Sequence, residues 1–516
     1  MKARRIPEVL APAGNLRGLK TAVDFHADAV YCGGKAFGMR TAPKNLSLED
    51  FEEGARYAHE CGARVYVTCN VLPRNDEIEQ MRNYIGELKD TGIDAVIVTD
   101  IGVLMMVHQI APNLEIHVST QAGVTNYGAA QSLYALGARR VVLAREMDIQ
   151  AIRDIRANIP DDMDIECFVH GSMCMAFSGR CLISNYLTGR DGNHGECAQP
   201  CRWKYSLVEE KRPGQYFPVE ETNDGTYIFN SQDMNMIEHI DDVLDAGATS
   251  LKIEGRAKSA YYVAAMTNAY KIAVNEYMVQ RGFEDTDGNT LQPYHHQVIT
   301  MNDVREGRIT LDQWNAAGDK ALAQSNEAFS VMPDMEAPVL QDTANEQTTA
   351  EQTAEADADI NVDAASGWEH ARSLPQPHIH VPQWVLDEPY KVAHREYSTG
   401  FYYPDNKVSQ HTETSRYIRD WMVVGEVLSW KDGRLTIMSR NKIEPGQRIE
   451  ILLPGTEPLV WQLPAEGIED ADGNPVDVIR HPARVYSFPF PHNLPENAML
   501  RSPIVKKAKP VSAVQE

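Results

Sequence analysis

What most constrains this chain is an alternation repeated through its first half: a short β-branched run, a polar turn, then a helix-period segment ending near glycine. Such runs occur at Glu8–Leu10, Ala29–Cys32, Arg64–Cys69, Ala95–Thr99, Glu115–Ser119, Arg140–Ala144 and Asp164–Val169, then at Tyr227–Asn230 and Ser250–Ile253. Helix-period segments lie between them, as at Leu48–Cys61, Asp76–Thr91, Tyr127–Leu136 and Asp148–Ala157. Strands that are apolar on both faces and alternate with helices imply a parallel sheet covered on both sides. Eight or nine such units predict a TIM-like (β/α) barrel rather than an open doubly wound sheet, with one strand in excess of the ideal eight. The turn after the first run, APAGN, is not a dinucleotide-binding fingerprint.

Helix Ala260–Tyr277 closes this barrel domain, which is assigned residues 1–281. Between 282 and 376 the alternation is lost. There is no Lys or Arg from Met335 to His370, while Glu336, Asp342, Glu346, Glu351, Glu355, Asp357, Asp359 and Asp363 are acidic. So few apolar residues cannot offset ordering entropy, and an acidic linker is expected. Short runs return at Val423–Ser429, Arg434–Met438, Gln447–Leu452 and Arg484–Tyr486, separated by KDGR, PGQ and LPGTEP turns. They predict a C-terminal small all-β barrel over 377–506, followed by a tail at 507–516. Part of the formal charge of −24 resides in the acidic segment, so it does not exclude a basic groove elsewhere. No apolar run is long enough to span a membrane, and the start MKARRIPEVLAPAG lacks the apolar core of a signal peptide. A cytoplasmic protein without a membrane partner is expected, its thiols reduced and available for metals or chemistry.

Four of the eight cysteines fall in one glycine-rich stretch, as Cys174, Cys181, Cys197 and Cys201, with six, fifteen and three residues between them. Thiolates are soft anionic ligands, and this set suits an iron–sulfur cluster or a zinc ion. Zinc sites usually bring their cysteines in two close pairs, and only Cys197 and Cys201 form one, which favours a cluster. Cys32, Cys61, Cys69 and Cys167 read as interior residues.

A parallel barrel assembles its chemistry at the C-terminal strand ends. Polar residues there are Asn70, Asp100, Ser119, Gln121, Arg145, Glu146, His170, Asp233, Lys252, Glu254 and Arg256. Asp100 and Asp233 serve equally well as helix caps. His170 closes a buried-looking strand four residues before Cys174, a place for general acid–base work or for packing. Arg145, Arg180, Arg190, Arg202 and Arg256 suit an anionic substrate through guanidinium forks, or a salt-bridged rim. Arg395, Tyr397, Phe401, Tyr402 and Tyr403 either stack single-stranded nucleic acid or form an aromatic seam between domains.

The blocks ECFVHGSMCMAFSGRCLIS, GRDGNHGECAQPCRWKY, FNSQDMNMI and SLKIEGRAKSAYYVAAMTNAYK resemble those of the collagenase-like "peptidase U32" family, and HREYSTGFYY resembles the start of its C-terminal β-domain. The resemblance implies an oxygen-independent hydroxylase that uses a 4Fe–4S cluster, with prephenate as co-substrate. Its nearest branch is the one that converts tRNA wobble uridine to 5-hydroxyuridine, so tRNA is the implied partner, with room for a partner subunit of the same family. Carried over by motif, Cys174, Cys181, Cys197 and Cys201 would hold the cluster. Cys201 is favoured over Cys32 as fourth ligand, because the block after NSQ has Asp233, Met234 and Asn235 where some members have cysteine. Glu166, His170, Lys252 and Glu254 are the implied catalytic residues, and Arg145, Arg180 and Arg256 the substrate-binding ones. The older family label implies a peptidase. The chain has neither HExxH nor GxSxG, leaving His170 with Cys174 as the pair such an enzyme would use.

Overall fold

The computed structural model describes residues 6–38, 45–173, 181–192, 196–203, 206–207, 217–218, 232–283, 377–404 and 417–504. Eight parallel strands form its centre: β1 (Glu8–Pro12), β2 (Ala29–Gly33), β3 (Arg64–Cys69), β4 (Ala95–Val98), β5 (Glu115–Val118), β6 (Arg140–Val142), β7 (Asp164–Ser172) and β11 (Ser250–Ile253). Each pairs with the next, and β11 pairs with both β1 and β7, so the sheet closes into a barrel. The surplus strand is thereby resolved, since the eight are the expected runs other than Tyr227–Asn230, which lies outside the described residues.

The strands close because both faces are buried. Val9, Ala11, Val30, Val65, Val67, Val96 and Val98 face the helices in one large core, while Leu10, Ala29, Tyr31, Tyr66, Ala95 and Ile97 form a second cluster. Helices α1 (Leu16–Asp24), α2 (Leu48–Glu60), α3 (Ile78–Leu88), α4 (Ile101–Ile110), α5 (Tyr127–Ala135) and α6 (Ile149–Ala157) follow the first six strands in turn. Polar side chains start several of them: Asn15, Ser47, Asp100, Asn126 and Asp148 each accept from a first-turn backbone N–H. Asp100 is thus a helix cap, its Oδ1 accepting from Val103 N at 3.0 Å.

Beyond β7 come α7 (Ile183–Thr188), the two-residue ladder of β8 (Ser206–Leu207) with β9 (Phe217–Pro218), β10 (Asp233–Asn235), α8 (Ile240–Asp245) and α9 (Ala260–Gln280). Asp233 caps no helix. It lies in β10, antiparallel to the end of β7, and β12 (Tyr397–Ser398) extends that ladder. α9 is buried on nearly all sides from Tyr261 to Met278.

Residues 377–404 pack with the large barrel although the pattern groups them with the C-terminal domain: Val381, Val385, Val392 and Tyr402 join its core. The second core begins at Val424. It belongs to one antiparallel sheet of β13 (Trp421–Lys431), β14 (Arg434–Ser439), β15 (Arg448–Leu452), β16 (Leu459–Gln462), β17 (Glu469–Asp470), β18 (Val485–Pro489) and β19 (Met499–Pro503), in the order β16-β15-β19-β13-β14-β18-β17. The two units are joined at Arg501. Its buried guanidinium donates to Glu388 at 2.5 and 2.6 Å, to Glu450 at 2.9 Å and to Tyr261 Oη at 3.3 Å. The acidic segment expected at 282–376 lies almost wholly outside the described residues. No helix among the described residues is long and apolar enough to cross a membrane.

Candidate active site

The N-terminal end of the barrel is a charged plug built from residues that begin strands. Glu8 accepts from Arg140 at 2.5 Å, Arg64 at 2.6 Å, Tyr66 Oη at 2.7 Å and Ser250 Oγ at 2.7 Å. Burial by itself would raise the Glu8 pKa, but the Arg140 and Arg64 charges and these donors hold it well below the usual carboxylate range. Arg140 also reaches Asp164 and Glu166, both at 3.3 Å. Above this layer Lys252 donates to Glu166 at 2.5 Å, its ammonium 4.3 Å from the Tyr31 ring centre. Glu166 and Lys252, both expected to be catalytic, are therefore brought together as a buried ion pair inside the barrel.

The C-terminal end is assembled differently. Arg145 follows β6, lies 3.9 Å over the Phe168 ring, and donates to the Ser172 carbonyl at 2.8 Å and to Glu254 at 3.1 Å. Its Nε finds no acceptor. Arg256 donates to Thr68 Oγ1 at 2.5 Å across the rim, and Gly33 leaves the space that its guanidinium fills. Glu254 is tied to β7 by its backbone, which donates to the His170 carbonyl at 2.9 Å. That approach needs Gly171: its φ is +103°, and a Cβ there would fall 2.6 Å from the Glu254 carbonyl oxygen. Arg145, Glu254 and Arg256 thus share the rim.

His170 does not face that rim group. Its ring packs among Tyr270, Tyr397 and Tyr262, with centroids 5.5, 5.4 and 6.0 Å away, and Nδ1 lies 3.3 Å from Tyr270 Oη. Burial pushes its pKa down to about 3, so the imidazole is neutral near pH 7. The surroundings are those of a packed core histidine.

Of the cysteine set, Cys174 lies outside the described residues, as does Arg180. Cys181, Cys197 and Cys201 are unbridged thiols, half-buried, exposed and half-buried respectively. Cys181 precedes α7, and Cys201 lies in a 3-10 turn, Pro200–Arg202, which packs on that helix. Ser184 of α7 holds the intervening strand of loop, accepting from Ala198 N at 3.0 Å. Cys197 Sγ accepts from Gln199 N at 3.4 Å. Cys32, Cys69 and Cys167 differ in kind: burial pushes each thiol up to about 12, so they are inert interior groups. Among the described residues, the one His, Cys and carboxylate trio whose ligand atoms lie within 4.8 Å of one another is Asp241, Asp242 and His378.

The basic–aromatic residues of 395–403 form a seam. Arg395 and Tyr402 are buried, Tyr402 Oη donates to the Phe168 carbonyl at 2.6 Å, and Tyr403 Oη donates to Asp242, while Phe401 alone of the five is exposed. Sequence reasoning missed the Glu8–Arg140 core of the plug. Its signal was there, as a charge at the inward-facing start of otherwise apolar strands.

A closed (β/α) barrel carrying a cysteine loop beyond its seventh strand, with an all-β domain docked through buried charges, defines the class. The family model "Peptidase family U32" matches residues 14–302, and "Peptidase family U32 C-terminal domain" matches 419–501. The chain belongs to peptidase family U32. It is 29% identical over 502 residues to "tRNA hydroxylation protein P1" of Bacillus subtilis, covering 96% of this chain and 94% of that one. It is 42% identical over 292 residues to "tRNA hydroxylation protein P" of Helicobacter pylori, covering 55% of this chain and 69% of that one. It is 34% identical over 280 residues to "Collagenase" of Porphyromonas gingivalis, covering 52% and 66%.

Proposed function

We propose that this protein is an RNA-modifying enzyme that hydroxylates a pyrimidine base, specifically tRNA wobble uridine to 5-hydroxyuridine. The observation that carries the reading is the cysteine loop, with Cys181, Cys197 and Cys201 as unbridged thiols around α7, distinct from the inert interior cysteines. The near full-length likeness to a protein named for tRNA hydroxylation supports it.

The donor set fits an iron–sulfur cluster: soft thiols on one short loop, one of them accepting a backbone N–H. Cys181, Cys197 and Cys201 would hold it with Cys174 as the fourth ligand, and bound there it would supply one-electron chemistry. The chain's own residues do the rest. Arg145 and Arg256 present guanidinium groups at the rim, and Arg145 keeps an Nε donor for the carboxylate of an anionic co-substrate such as prephenate. Glu254 holds Arg145 in place and limits its net positive charge. Glu166 and Lys252 fix the barrel floor beneath Phe168 as a neutral pair.

The peptidase reading is weakened by His170, which is buried among tyrosines and held neutral, a poor general base for a thiol. Anaerobically purified protein should carry about four irons per chain and convert tRNA uridine to 5-hydroxyuridine only when prephenate is supplied. Iron-free protein that cleaves a collagen peptide at undiminished rate would overturn the proposal.

A further inference from the structure

Gln121 is the polar group at the barrel mouth that the reading above leaves without a task. It sits in a 3-10 turn, Thr120–Ala122, directly after β5, and the residue is only 5% exposed. Its Oε1 is fully engaged. It accepts from Asn70 Nδ2 at 2.8 Å, and Thr99 Oγ1 and Ser119 Oγ lie at 3.4 and 3.5 Å. These partners come from the ends of β3, β4 and β5, two residues beyond the Thr68 that Arg256 engages from across the rim. In this arrangement the Gln121 oxygen faces the Asn70 NH2. What remains is Nε2, a buried donor with no acceptor.

A buried donor left unpaired is costly, and a ligand that brings a matching acceptor relieves that cost. We infer that Gln121 reads the substrate base, its Nε2 donating to the C4 carbonyl of the pyrimidine, so that uracil is accepted over cytosine. The inference rests on the hydroxylase reading and adds a specificity determinant to it. Uracil offers a carbonyl oxygen at C4, whereas cytosine presents an amino donor there that would face another donor. A desolvated hydrogen-bonding site rejects the wrong partner more strongly than an open one, because the mismatch leaves its own group unpaired. A base drawn out of its stack into the mouth meets this condition.

The test uses the full-length, iron-loaded protein and two anticodon stem-loop RNAs that differ only in uridine or cytidine at the wobble position. Binding is measured anaerobically by fluorescence anisotropy. Wild type should favour the uridine loop by about tenfold. Gln121→Leu should bring the two affinities together by weakening the uridine complex alone. Gln121→Glu keeps an oxygen facing Asn70 but converts the donor into an acceptor, so its preference should shift toward the cytidine loop. A structural role would instead weaken both complexes equally. If wild type discriminates and both variants keep the same ratio, Gln121 holds only a buried water, and the inference falls while the hydroxylase reading stands. If wild type binds neither loop or does not discriminate, the uridine-hydroxylase reading fails and the inference falls with it.

Discussion

The two ends of the barrel use polar residues in opposite ways. At the N-terminal end, Glu8, Arg64, Arg140, Asp164 and Glu166 face one another as paired charges held by strand residues, although Arg140 Nε also lacks an acceptor among the described residues. At the C-terminal end, Gln121 and Arg145 each keep a buried donor without an acceptor, and the thiols beyond β7 carry no bridge. Charges paired within the fold contribute stability, whereas rim donors and thiols are of the chemical types that a substrate or metal can engage. In (β/α) barrels generally the lower face serves stability and the upper face chemistry. Here the lower face is dominated by ion pairs between strand residues, and the upper face by rim guanidinium groups and the cysteine loop.

The largest effect should fall on the upper end. Cys181→Ala should reduce both bound iron and 5-hydroxyuridine formation to background while shifting the unfolding of the iron-free protein by no more than about 0.5 kcal/mol, as expected away from a core. Iron analysis, product assay and urea denaturation check this together, and a fully active variant would remove the cysteine loop from the account. The lower end should show the reverse. Arg140→Met leaves Glu8 and Glu166 buried beside a lost partner and should cost about 3–5 kcal/mol in urea unfolding, with activity per folded molecule retained. A cost under about 1 kcal/mol would mean that the plug is not what secures the barrel.

A third effect concerns acid. The Glu8 carboxyl is held below its ordinary value, so its stabilisation is present above about 4.5 and is lost as pH falls further. His26 and His170 are buried neutral with pKa values near 3 against an ordinary 6.5, so they too favour the fold above 6.5 and oppose it as pH falls toward 3. Stability should decline by on the order of 6 kcal/mol between pH 6.5 and pH 4, and a His170→Phe variant should decline less. A flat profile of urea midpoints over that range would contradict the burial of these groups. The smallest effect is expected of the acidic segment, where removing Asp342–Ser366 should leave both activity and unfolding unchanged.

The barrel was legible because its strands are buried on both faces, which leaves runs such as Arg64–Cys69 and Ser250–Ile253 identical in sequence and structure. Elements built on polar pairing were not. β10 reads Asp-Met-Asn, and β19 carries Arg501, whose burial is explained only by Glu388 and Glu450 far away in sequence. The site divides in the same manner. The strand-end rule places Arg145, Glu254 and Arg256 at one rim, but it cannot show that Arg145 and Glu254 are bonded to each other. Nor can it tell His170, which ends a strand like the others, from a rim residue. The turn of the chain at Gly171 and the tyrosines of α9 and β12 decide that. The tyrosines of 397–403 were equally ambiguous until their burial resolved them into a seam.

The most direct test of the central claim is mass spectrometry of tRNA nucleosides from a strain lacking this protein and from the same strain with it restored. Loss of 5-hydroxyuridine and its derivatives on deletion, with recovery by the intact gene but not by the Cys181→Ala form, is the result this account requires. An unchanged nucleoside profile, in a strain shown to contain no second member of the family, would contradict it.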